Sequence, residues 1–201
     1  MNAPNHNFPL PPVALVAGLG AVVAGEKLGA AAALARLSAL PHLICHSAFL
    51  IDRLASAAAA PKSLARSAKD IKHFDVAELF AFVVPARVAT PTPLGFARSL
   101  AVDRGENDSQ TLLNVVADLL ARVSNRNYPL LREAAETANF LARANWPWAK
   151  LVMQALLKAN PKLDVSSFAT GLNVWDRIEE WEDDGARPPG TQLPVPASSG
   201  H

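Results

Sequence analysis

Cysteine is almost missing from this chain. Cys45 is the only one in 201 residues, so no internal disulfide can form and a reducing compartment is the simpler setting. A strong excess of either charge is missing too. Nineteen Lys and Arg stand against 18 Asp and Glu, for a net charge of +1 and a pI near 8.0. The field of the whole chain therefore gives no argument for nucleic acid, and any such binding needs a local patch. No long hydrophobic run is present either. Val13 to Gly25 spans 13 residues, short of the ~20 that cross a bilayer. No Lys or Arg precedes Lys27, so the basic start of a signal peptide is also lacking. These absences point to the cytoplasm, with no membrane partner. What is present is a chain 50% apolar and 18% charged, which suits a packed core rather than disorder. Its length fits one generous domain, or one domain with a helical extension.

Residues 1–12, MNAPNHNFPLPP, are rich in Pro and Asn and read as a flexible N-terminus. VALVAGLGAVVAGE holds two short apolar runs broken by Gly18 and Gly20, the pattern of a tight β-hairpin. LGAAAALARLSAL favours helix, with Leu28, Leu34, Leu37 and Leu40 near one stripe and Pro41 as its stop. HLICH reads as a third, buried strand, after which AFLIDRLASAAAA is helical as far as Pro61. The basic stretch PKSLARSAKDIK is a connector or a short solvated helix. DVAELFAFVV places Val76, Leu79, Phe80 and Val83 on one helix face; a Pro-punctuated loop and the short helix PLGFARSLAV follow. From Asp108 onward, DSQTLLNVVADLLARV, YPLLREAAETANFLARA and PWAKLVMQALLKA form three amphipathic helices. The predicted class is α/β: a flexible segment 1–12, an α/β unit 13–104, a helical extension 105–184, and a Pro/Gly-rich linker or tail 185–201.

Several residue groups carry potential chemistry. GLGAVVAGEKLG approaches a Walker A loop, since Gly20 and Gly25 have the spacing. However, Glu26 occupies the Lys position, Leu28 follows Lys27, and a carboxylate aimed at a triphosphate would repel it. A dinucleotide fingerprint fails on the position of its third Gly, which leaves a hairpin turn. His42, Cys45 and His46 lie within one short stretch, but zinc needs three or four ligands and no second cluster completes the set. On a strand, His42 and His46 would share a face with Cys45 on the other. Thiol catalysis by Cys45 is disfavoured for the same reason, so Cys45 reads as a small buried apolar residue.

The acidic set Asp52, Asp75, Glu78, Asp103, Glu106 and Asp108 is of the kind that two-metal nucleases use to hold paired Mg²⁺ ions. Helix capping and solvated charge compete with that reading. Asp75 stands where an N-cap for the VAELF helix belongs, with Glu78 placed to complete a capping box. Lys62, Arg66, Lys69, Lys72, Arg87 and Arg98 cluster loosely between 62 and 98 and suit either a phosphate-tracking groove or a solvated connector. Trp146, Trp148, Trp175 and Trp181 serve equally as core anchors, inter-domain contacts or stacking platforms.

The stretches LICHSAFLIDRLA, ELFAFVVPAR, PTPLGFARSL, WPWAKLVMQAL and GLNVWDRIEEWEDDGARPPG resemble the N-terminal region of bacterial DinG-like, XPD-related ATP-dependent DNA helicases. The resemblance covers roughly residues 10–195. It implies a ribonuclease-H-like, DnaQ-type 3′–5′ exonuclease fold. HSAFLID parallels that family's His-Asn-Ala-x-Phe-Asp turn, with Ser47 in place of the Asn, Ile51 in place of the metal-binding Asp, and Asp52 one residue late. On a helix that delay turns the side chain by ~100°, away from a shared metal. The Asp-x-Glu of the opening strand is missing, and the final His-x4-Asp would fall near Glu106 and Thr111.

The expectation is thus a catalytically inert accessory domain with vestigial candidates His46, Asp52, Asp75 and Glu78. No cofactor or metal is expected on this chain, since ATP and Mg²⁺ belong to a motor that would follow the PPGTQLPVP linker. The expected partners are the helicase motor domain and single-stranded DNA, the latter through Lys62, Arg66, Lys69, Lys72, Arg87 and Arg98. Two alternatives stay open: a residual metal-dependent 3′–5′ exonuclease using Asp52, Asp75 and Glu78, or a stand-alone protein-interaction module.

Overall fold

In the computed structural model the described residues are 10–129 and 131–163. The Gly-broken apolar runs form a meander of β1 (Val13–Ala17), β2 (Gly20–Val23) and β3 (Glu26–Leu28). At the second reversal Ala24 and Gly25 both take positive φ, 53° and 85°, the turn whose twist matches that of paired strands. Gly20 is needed because a Cβ there would collide with the Leu28 carbonyl on the adjoining strand. The hairpin thus gains a third strand that the sequence pattern did not show.

Alanine-rich α1 (Ala30–Leu37) buries Leu34 and Leu37. It ends ahead of Pro41, where the Ser38 hydroxyl donates to the Ala35 carbonyl at 2.8 Å. Leu40 therefore falls past the helix and is 60% exposed, not on the buried stripe. The expected HLICH strand contracts to the two residues of β4 (Leu43–Ile44), and a further short strand, β5 (Phe74–Asp75), precedes the VAELF helix. The sheet has the order β3-β2-β1-β4-β5. β1, β2 and β3 pair antiparallel, β4 runs parallel to β1 with Val13 opposite Leu43, and β5 runs parallel to β4 with Leu43 opposite Phe74. Parallel pairing requires long crossovers: α1 supplies the first, and α2 (Ser47–Ala57) with α3 (Lys62–Asp70) the second. The α/β class is observed.

Successive strand residues point to opposite faces, which divides the core in two. Ile44, Ala14, Ala21 and Val23 pack against Leu34, Leu37, Leu50, Leu54 and Ala68 of α1, α2 and α3. Leu43 faces the larger layer, which comprises α4 (Val76–Val83), α5 (Pro93–Leu100), α6 (Asp108–Val123), α7 (Leu131–Arg143) and α8 (Ala149–Ala159). Residues from both sides of position 104 share this second core. The predicted faces of α4 and α6 are buried, including Val76, Leu79, Phe80 and Val83 in α4. Trp148 is fully buried; its indole N–H donates to the Asp75 carbonyl at 2.7 Å and its ring meets Phe74 edge-on. Among the described residues no helix is long and apolar enough to cross a membrane. Most of segment 1–12, Trp175, Trp181, VWDRIEEWE and the 185–201 tail lie outside the described residues.

Two buried histidines, His42 and His73, tie β4 to β5. His73 Nδ1 accepts the His42 backbone N–H at 3.2 Å, and its Nε2–H donates to the Ala68 carbonyl at 3.0 Å. His42 Nδ1–H donates to the Leu40 carbonyl at 2.8 Å. Burial lowers the pKa of both rings, and each ring's own carbonyl contact only partly offsets this. The unfolded chain therefore binds more protons than the folded one below the ordinary histidine value of about 6.5. Stability is present above that value and is lost as pH falls through it. The urea midpoint followed by circular dichroism is expected to drop between pH 7.5 and 5.5; a rise would contradict the neutral-pair assignment. Replacing Trp148 by Ala should cost about 3–5 kcal/mol in the same assay, since the ring leaves a cavity and the Asp75 carbonyl loses its donor.

Candidate functional site

Asp75, only 5% exposed, sits at the end of β5 where the chain enters α4. Its Oδ1 accepts the backbone N–H groups of Ala77 at 2.9 Å and Glu78 at 3.4 Å, which caps α4. Its Oδ2 accepts the Ser47 N–H at 2.7 Å and the Ser47 hydroxyl at 2.8 Å, at the first residue of α2. One carboxylate therefore serves the amino ends of two helices. An ionised carboxylate offers about four acceptor positions, and these four bonds occupy them.

The other candidates, His46, Asp52 and Glu78, do not join Asp75 in one cluster among the described residues. The capping box predicted for Asp75 and Glu78 is only half formed. The Asp75 N–H donates to the His73 carbonyl at 3.1 Å, while Glu78 Oε2 accepts the Trp146 indole N–H at 2.9 Å. Burial raises the Glu78 pKa, and the Trp146 bond opposes that rise. Asp52 lies on the exposed side of α2, where Oδ1 meets Lys69 Nζ at 2.6 Å. Ile51, one position earlier, is buried, and the ~100° step per helical residue turns Asp52 away from the core. His46 is not a strand residue: it is the N-cap of α2, with Nδ1 accepting the Phe49 N–H at 3.4 Å. The expected shared strand face for His42 and His46 is thereby replaced by a buried ring and a capping ring. Thr111, near the expected final motif, accepts the Gly105 N–H at 3.1 Å and donates to the Asn107 carbonyl at 2.9 Å, fixing the entry to α6.

A cavity of about 260 Å³ opens beside this region. Ala14 and Val16 of β1, His46, Phe49 and Leu50 around the start of α2, Pro91 before α5 and Pro93 at its start, and Asp108 at the head of α6 all line it. Its walls are mostly apolar, and Asp108 is the one carboxylate among them. Cys45 also lines it; burial, then Asp75, then Asp108 push its thiol up to about 12, so it stays protonated and inert at neutral pH. Among the described residues, no group of three or more His, Cys, Asp or Glu side chains is arranged to hold a metal ion.

The basic residues divide between the two layers. Lys62, Arg66 and Lys69 lie on one stripe of α3, with Lys72 just past its end, all exposed. Arg87, whose guanidinium donates to the Ser99 carbonyl at 2.8 Å, and Arg98 belong with α5 on the opposite side of the sheet. α3 packs on α1 and α2, whereas α5 packs on α6. The loose cluster of the sequence is therefore one coherent stripe and two separate arginines.

Sequence reasoning missed the Ser47–Asp75 and Trp146–Glu78 contacts, whose partners stand 28 and 68 positions apart and leave no spacing signal. The chain was compared with protein-family models, curated proteins and solved structures, and none of them matches it.

Asp75→Ala removes the cap of α4 and the acceptor that holds Ser47 at the start of α2, and is expected to cost about 2–4 kcal/mol by urea unfolding. Asp52→Ala breaks only an exposed ion pair and should change the same quantity by less than about 1 kcal/mol. Equal effects would refute the distinction between the two carboxylates.

Proposed function

We propose that this chain is an exonuclease-like accessory module of the DinG-like helicase type, without metal chemistry of its own. It acts by contact, through single-stranded DNA or the helicase motor domain. The observation that carries this reading is the dispersal of its carboxylates. Two-metal hydrolysis needs several acids converging on one pocket. Here Asp75 has its acceptor positions filled by helix amides and Ser47, Glu78 turns to Trp146, and Asp52 pairs with Lys69 on the surface. The cavity at β1 presents Ala14, Leu15 and Val16 where the family's opening strand carries Asp-x-Glu. A mixed five-stranded sheet with helices on both faces supports the ribonuclease-H-like expectation.

The α3 stripe favours nucleic acid as the contact. Lys62, Arg66 and Lys69 recur at four- and three-residue spacing on a helix that buries little beyond Ala68. Cations held in register on a rigid element can follow a phosphate backbone and release its counterions.

With Mg²⁺ or Mn²⁺, a 3′-labelled oligonucleotide should not be shortened by the protein; shortening would restore the residual-exonuclease reading. Fluorescent single-stranded DNA should bind at low salt and release as salt rises. The double change Lys62→Glu with Arg66→Glu should weaken that binding by about tenfold or more. Binding that ignores both salt and this change would remove α3 from the interface.

A further inference from the structure

Six of the chain's 18 acidic residues fall within nine positions: Asp176, Glu179, Glu180, Glu182, Asp183 and Asp184, with Arg177 as the only base among them. This segment carries a net charge of −5, and the rest of the chain, with 18 bases against 12 acids, carries +6. The near-neutral total thus conceals two opposed charge blocks. Among the described residues the most regular cationic surface is the α3 stripe. Among the described residues no ion pair engages Lys62, Arg66 or Lys72, and Lys69 has only its exposed contact with Asp52.

We propose that the acidic segment 176–184 docks on the basic stripe of α3 and competes there with nucleic acid. This inference rests on the reading of α3 as an anion-binding surface and adds a regulator to it. Length and position allow the contact. α3 runs through Lys72 directly into β5, and Trp148 at the head of α8 rests on β5 through Phe74 and the Asp75 carbonyl. Lys72 also lies close enough to Glu78, beside Trp146, to offset part of the rise that burial causes in the Glu78 pKa. α8, with its 11 residues, carries the chain about 16 Å from that point. The 13 residues from Asp164 to Asp176 could reach up to about 45 Å if extended, enough to return to α3. A tethered partner acts at an effective concentration near the millimolar range, so individually weak ion pairs suffice. Because these pairs are exposed, they weaken beyond a Debye length of about 8 Å and in high salt. DNA, with denser charge, can displace the segment.

A zero-length carbodiimide cross-link on the full chain tests the contact without any DNA. At 20 mM salt, monomeric protein should yield peptides joining Lys62, Lys69 or Lys72 to Glu179, Glu180, Glu182, Asp183 or Asp184. These links should vanish at 0.5 M salt and in a Lys62→Glu, Arg66→Glu variant. Links to Lys27, Lys150 or Lys158 in equal yield, links only in dimers, or no links at all would overturn the proposal. In a second arm, Glu179→Gln, Glu180→Gln and Glu182→Gln together should tighten single-stranded DNA binding by about threefold or more at low salt. Tightening below that threshold, in a protein that does bind DNA, would also overturn it. If the cross-links form but neither protein binds DNA, docking stands and the nucleic-acid reading of α3 fails.

Discussion

The amino ends of α2 and α4 converge on a single carboxylate, and much of the sheet's parallel half is arranged around that meeting. Each helix start carries unpaired amide donors and a partial positive charge, so two such ends brought together repel unless an anion stands between them. Asp75 is that anion. Its backbone carbonyl also receives Trp148, so one residue links the sheet to α2, α4 and the head of α8. The Ala77 N–H reaches back to the Cys45 carbonyl at 3.0 Å, which joins the same two crossings through the backbone. β4 and β5 remain two residues long because their chains are taken up at once by these helix starts.

This arrangement gives a buried acid a structural role. A carboxylate that closes two helix starts contributes to stability through the hydrogen bonds it accepts. The neighbouring positions follow the same logic. Glu78 anchors the α7–α8 connection through Trp146, whose ring also packs on Phe82. Burial keeps the thiol of Cys45 and the rings of His42 and His73 neutral at neutral pH. What polarity remains inside is used to fasten elements together.

Elements whose information is local were legible in the sequence. The hairpin at Gly18 and Gly20, the apolar faces of α4 and α6, Pro93 at the start of α5, and Asp75 as an N-cap all follow from spacing or residue chemistry. The misses share one cause, which is pairing across distance. β3 carries the polar Glu26 and Lys27 and has only three residues, so periodicity cannot mark it; its partner β2 does. β5 is two residues that look like the lead-in to a helix. At the candidate site, residue chemistry singled out Asp75 as a capping acid. It did not reveal that Ser47 occupies Asp75, because that contact depends on β4 and β5 lying side by side. The six basic residues looked like one group along the chain and are parted by the sheet.

The two sheet margins have a further bearing on assembly. One margin is β3, three residues long with both its charged side chains exposed; the other is β5, two residues long and roofed by Trp148. Neither offers an extended row of free amides and carbonyls on which a second polypeptide might lay an added strand. Recognition by β-augmentation is therefore closed to this sheet, as is the edge-to-edge stacking that leads towards fibrils. A partner must be met by helix surfaces and loops, where a contact is reversible and can be tuned by single side chains.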